Sequence, residues 1–177
     1  MLYFRLVEKM VSKPVVFFLV LLAAVVCNVG LGIATQGIPK PPDLWFGGYS
    51  AVQASQYIAN LDSHGLTALR TAWYIDEVYP LVYIWAFAGL LYALFIKGFQ
   101  LEAAHWWQVL LLIPISAVCD YAENWLLAPA IFGSCGNQYI ALTFAGVATL
   151  LKWIYAFLAI ALMLLGIVAH AVRRLRQ

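Results

Sequence analysis

Four stretches of this chain stay apolar for about 20 residues or more, and nothing else in the sequence constrains the fold as strongly. A helix rises about 1.5 Å per residue and needs roughly 20 apolar residues to cross the hydrocarbon of a bilayer. The first stretch runs from Pro14 to Ala34, the second from about Trp73 to Ile96, the third from about His105 to Leu127 and the fourth from about Tyr139 to Val168. One soluble core could not hide so much apolar surface: 65% of the 177 residues are hydrophobic and only 10% are charged, against about 25% charged in a soluble domain. The sequence predicts an all-α integral membrane protein. Residues 1–177 form a single membrane domain, a mostly antiparallel four-helix bundle, with an outer segment over 35–72 that contains a short interfacial helix.

The first stretch follows Arg5, Lys9 and Lys13, as a signal peptide follows its basic start. Its apolar run exceeds the roughly 7–15 residues of a signal h-region, so a retained span is expected. Lys97, Arg173, Arg174 and Arg176 join those three on one side of the predicted membrane, while Lys40 and Arg70 fall on the other. The positive-inside bias then places both termini in the cytoplasm and the segments 35–72 and 128–138 outside. A bacterial inner (plasma) membrane is the default for a short chain of this kind. The net charge is only +2, which gives no footprint for nucleic acid. The expected partners are the lipid bilayer and either another membrane protein or further copies of this chain.

The outer segment opens with Gly37-Ile38-Pro39-Lys40-Pro41-Pro42-Asp43, where proline blocks helix and favours extended chain. Trp45, Phe46 and Tyr49 follow. Residues 50–61 have a loose apolar face of Val52, Tyr57, Ile58 and Leu61, which predicts a short helix on the membrane surface or capping the bundle. Asp62 to Gly65 reads as a turn. A new helix near Leu66 is expected to run directly into the second span, with Pro80 kinking it. The cysteines Cys27, Cys119 and Cys135 have no metal-binding spacing. A Cys119–Cys135 bridge is not required, since buried free cysteine is common. There is no internal repeat of the kind inverted-repeat transporters use.

Charged residues inside a span cost free energy on insertion and so point to function or to specific pairing. The third span carries Asp120, Glu123 and Asn124, whose spacings of three and four residues place them on one helical face; Ser116 and Gln108 extend it. The fourth carries Lys152, roughly 16 Å from the outer helix end at the helical rise. Lys152 lies on a stripe of small residues, Ala145, Ala148, Thr149, Ala156 and Ala159, that lets helices approach closely. It is therefore expected to face the bundle within reach of Asp120 or Glu123. Asp76 and Glu77 open the second span, with Asp76, Pro80 and Tyr83 sharing a face, and Arg70 and Glu77 sharing another. Counting Asp76, Glu77, Asp120 and Glu123 against Lys152 and Arg70 leaves two negative charges. A low-dielectric site holds them only if carboxyls keep protons or a cation sits there.

Each of these residues also has a plain structural role to play. Asp120 and Lys152 can fix helix rotation as an ion pair, Asn124 can bond across the bundle, and Asp76 and Glu77 can sit at the headgroups. Tyr79, Tyr83 and Tyr121 fit packing or belt positions, and His105, His64 and His170 fit boundary or solvated ones. The combination of Asp76 with Tyr79-Pro80, Asp120-x-x-Glu123-Asn124 and Thr149-x-x-Lys152-Trp153 resembles a pattern in four-span bacterial membrane proteins over about Leu61 to Leu165. That resemblance implies the fold and brings no activity with it. No phosphate loop, nucleophile elbow or zinc-binding helix motif is present, so no cofactor is indicated. The leading functional reading is a structural or accessory component of a membrane assembly. One alternative is cation or proton binding and translocation, with Asp76, Asp120 and Glu123 as ligands. Another is a lipid-modifying enzyme in which Asp120, Glu123 and Lys152 supply acid, base and oxyanion-stabilising groups.

Overall fold

A computed structural model describes residues 2–101, 107–133 and 138–176. His105, Trp106 and Cys135 lie outside the described residues. Among those described, all regular structure is helical, and four helices are long and apolar enough to cross a membrane.

A short helix α1 (Leu2–Val11) precedes α2 (Pro14–Ala34), which starts on a proline, a residue suited to a first helical turn. An extended strap follows, with one 3-10 turn at Pro42–Leu44. Helix α3 (Ala51–Ala59) is started by a reciprocal cap: Gln53 N donates to Ser50 Oγ, and Ser50 N donates to Gln53 Oε1. Helix α4 (Ser63–Asp76) begins earlier than the sequence suggested, because Asp62 is its N-cap and accepts from Gly65 N at 2.7 Å.

The predicted continuous helix through Pro80 is instead two helices. The chain breaks at Glu77–Val78, and α5 (Tyr79–Leu91) takes Pro80 into its first turn, where the missing N–H costs nothing. A π-helical turn at Tyr92–Ile96 and a last turn at Lys97–Phe99 continue α5. A 3-10 segment (Trp107–Leu111) leads into α6 (Leu112–Phe132), which runs past the predicted end at Leu127. The last helix, α7 (Tyr139–Leu175), has 37 residues and also outruns its predicted end at Val168.

α6 packs along α7, α5 packs on α2 and α6, and α2 packs on α4 and α5. α2 and α7 do not pack along one another. α3 lays Ala51, Ala54 and Tyr57 against α6 and α7, while Val52 of the predicted apolar face points out.

Two apolar clusters are separated by a polar layer. One cluster gathers Leu91, Phe95, Leu110, Ile113, Ala159 and Met163 with Phe4 and Val7 of α1. The other gathers Tyr49, Tyr57, Leu69, Leu127, Ile131 and Leu142. Along α6 and α7 the buried polar residues between them are Ser116, Asp120, Glu123, Asn124, Thr149 and Lys152.

Candidate functional site

The polar layer is built by helical spacing on two facing helices. Lys152 reaches from α7 to α6, where its Nζ lies 2.9 Å from Asp120 Oδ1 and 2.7 Å from Glu123 Oε2. The Glu123 contact has the distance of an ion pair but not the direction of a hydrogen bond. Glu123 is fully enclosed, at 0% exposure. Across the same seam Ser116 Oγ donates to the backbone oxygen of Lys152 at 3.1 Å, so helix position and side-chain pairing reinforce each other.

Tyrosines complete the shell around these carboxylates. Tyr83 of α5 donates from its hydroxyl to Asp120 Oδ2 at 3.0 Å, and Tyr49 of the strap reaches Glu123 Oε1 at 3.4 Å. The sequence places Tyr83 at a packing or belt position and marks Tyr49 only as an aromatic of the outer segment. Their hydroxyls hold carboxylate oxygens, which is how a buried tyrosine satisfies its polar tip. Asp76 ends α4 beside Asn124, whose Nδ2 donates to Asp76 Oδ2 at 3.0 Å. The backbone oxygen of Asn124 accepts from Trp73 Nε1 at 3.1 Å, so α4 is tied to α6 twice in one turn.

Two residues counted with the charges stand apart from them. Arg70 donates from Nε to the Ile131 backbone oxygen at 3.1 Å, and its guanidinium lies 5.7 Å from the centre of the Phe132 ring. It neutralises no carboxyl of the layer. Glu77 is half-buried at the α4–α5 break, with its backbone oxygen accepting from Tyr121 at 3.0 Å. Gln108, predicted to extend the α6 face, is exposed.

In their place the strap contributes Asp43, which no periodicity could have revealed. The strap folds back over the polar layer, and Trp153 Nε1 of α7 donates to the Asp43 backbone oxygen at 2.9 Å. Burial pushes the Asp43 carboxyl above its ordinary range; nearby Lys152 pulls it down and Asp120 pushes it further up. The layer thus sets Asp43, Asp76, Asp120 and Glu123 against Lys152, formally −3 if all ionise.

This layer forms the middle stretch of the wall of a chamber of about 520 Å³, whose α6 lining runs from Ile113 on one side of it to Leu127 and Ile131 on the other; the volume is within the usual range for small-molecule sites. Its polar lining includes Asp43, Asp76, Asp120, Asn124 and Lys152. Its apolar lining includes Leu31, Phe87, Ile113, Ala156, Ile160 and Met163. α2 and α7 both supply wall without packing along each other. Asn28 of α2 reaches Tyr79 with its Nδ2, 3.5 Å from the hydroxyl.

Among the described residues no three His, Cys, Asp or Glu side chains come together as a metal-ligand group. Of the predicted ligands, Asp120 and Glu123 converge on an ammonium and Asp76 on an amide. Cys27 and Cys119 are free thiols.

The chain matches no family model, no curated protein and no solved structure. Function has to be read from the chemistry of the chamber. Asp120 is held by a cation and a phenol. Asp76 and Asp43 line the same space.

Proposed function

We propose that the protein binds an amphiphilic small molecule within the membrane, with its head among the carboxyls of the polar layer and its apolar body between α2 and α7. The observation that carries this reading is the chamber itself. It has a charged stretch of wall, apolar lining on either side of that stretch, and walls from two candidate spans that do not pack along each other. A mostly apolar cavity with a few convergent polar and titratable groups is the usual form of a ligand site. A gap between spans gives a lipid-like molecule a route in from the bilayer. The membrane is a bacterial plasma membrane, with both termini cytoplasmic and the strap outside, as the distribution of lysine and arginine supports. The carboxyls make acid–base chemistry on the bound head group available.

A second reading, proton or cation handling, is favoured by the four carboxyls set against one ammonium. A purely structural or accessory role is the weaker reading, because a layer that served only to lock helices would need no chamber beside it.

Native mass spectrometry after gentle extraction tests this. Each chain is expected to carry one small molecule of defined mass, and Ala156→Phe is expected to lose it while staying folded. Ala156 is half-buried and faces the chamber from α7, so a phenyl ring enters the space without displacing core. Ile160→Trp at the exposed edge of the same wall is the second variant. Wild-type chains with no bound mass, or variants that keep it undiminished, would overturn the reading. A bound polypeptide instead would restore the accessory one.

A further inference from the structure

We propose that the head group selected by this chamber is cationic, an alkyl or quaternary ammonium carried on an apolar body. The inference rests on the chamber reading above and adds the charge of the ligand. Its first support is the balance of the lining. Asp43, Asp76 and Asp120 line the space, and among the described residues Lys152 is the only cationic side chain that does so. Its ammonium is already engaged by Asp120 at 2.9 Å and Glu123 at 2.7 Å. A phosphate or carboxylate head would find no free cation there and would face three carboxyls.

The second support is independent of charge counting. Asp76 is more than nine-tenths buried, at 8% exposure, and lines the chamber. Only its Oδ2 is bonded, by Asn124 at 3.0 Å, and no group of the described chain donates to Oδ1. Oδ1 is thus an open acceptor on the cavity wall, available to an occupant. A protonated amine meets it most strongly, since charge-assisted hydrogen bonds are about twice as strong as neutral ones, whereas a quaternary ammonium, which has no N–H, is drawn to it by charge alone.

The third support is the aromatic surround. Trp73, Tyr79, Tyr83, Phe87 and Trp153 all contribute to the lining. Aromatic faces attract cations and pack well against N-methyl groups. Carboxylates and aromatic faces together, with no free donor cation, describe a receptor for lipophilic ammonium compounds.

The test compares three probes of equal chain length: dodecyltrimethylammonium, dodecanol and dodecyl phosphate. Each is radiolabelled and measured by equilibrium dialysis against the full-length protein in uncharged dodecyl maltoside micelles. Binding to Ala156→Phe is subtracted as the micelle background. The ammonium is expected to bind at least about tenfold more tightly than either other probe. Asp76→Asn and Asp43→Asn are each expected to weaken the ammonium about tenfold while leaving dodecanol unchanged, which also shows that the variants are folded. Equal or tighter binding of dodecanol or dodecyl phosphate overturns the cationic assignment but leaves the chamber reading standing. So does an ammonium preference untouched by both substitutions. No chamber-dependent binding of any probe overturns both.

Discussion

Replacing Lys152 with methionine is expected to destabilise the protein by about 3–5 kcal/mol, the range seen when one partner of a buried ion pair is removed. Lys152 Nζ sits between Asp120 and Glu123, at 2.9 and 2.7 Å, and all three side chains are buried. Methionine keeps much of the lysine stem, so the loss is electrostatic rather than a cavity. Two carboxylates would then be enclosed without a counter-charge. The cost belongs to the broken pairing and not to the pair itself, which gives a second expectation. The triple variant Lys152→Met, Asp120→Asn, Glu123→Gln removes every uncompensated charge together and should recover most of the loss, because buried pairs are often close to neutral replacements in net stability. Thermal unfolding of the purified variants, with the monodisperse fraction after extraction, measures both. A Lys152→Met protein as stable as wild type would mean that Asp120 and Glu123 are solvated in the membrane, and the enclosed polar layer would be wrong. The triple variant also separates roles. If it folds but no longer holds a ligand, the charges serve binding as well as helix pairing.

The four membrane-length apolar helices were legible in the sequence because membrane solvation allows few alternatives: an apolar run of that length has to hide its backbone polar groups in a helix. The pairing of Lys152 with Asp120 and Glu123 was legible for a related reason. Spacings of three and four fix a face, and a charge that deep has nowhere else to go. The helix break was only half legible. Pro80 marked the place, but Asp62 had to be recognised as a cap, not a turn residue, before α4 could stand as a helix of its own with its own facing direction. With α4 independent of α5, Arg70 meets the end of α6, and the count that set it against Glu77 and the deep carboxyls fails. Asp43 and Tyr49 were not legible at all. They come from an irregular strap with no period, and what brings them to Lys152 and Glu123 is the fold-back of that strap over α7.

That fold-back depends on one close crossing, and Gly146→Val is expected to undo it. Gly146 lies in the second turn of α7, and a Cβ built there would run into the backbone carbonyl of Tyr49. The neighbour across the crossing is Gly48, at φ +72°, where a Cβ would come within 2.5 Å of the Gly146 carbonyl oxygen. Each glycine is thus pressed on the other's strand of backbone, and Gly48 also occupies a left-handed conformation that other residues adopt at a cost. Overpacking a core costs typically about 1–3 kcal/mol when side chains can shift. Here the obstacle is backbone, which has no rotamer to move to, so the upper end of that range is expected. The relief available is for the strap to lift away from α7. That would withdraw Tyr49 from Glu123 and Asp43 from above the chamber while leaving the α6–α7 seam intact, since Lys152, Asp120 and Ser116 do not touch the crossing. The variant should therefore remain helical and keep its spans, yet lose the strap's protection. Limited proteolysis reads this directly, through cleavage within 36–50 that wild type resists, alongside unchanged helical circular dichroism. Resistance equal to wild type would show that the strap is held by contacts other than this crossing. Gly48→Ala should give the same pattern more weakly from the opposite side, and the two changes together should cost less than their sum, because a strap already lifted by one cannot be lifted again by the other.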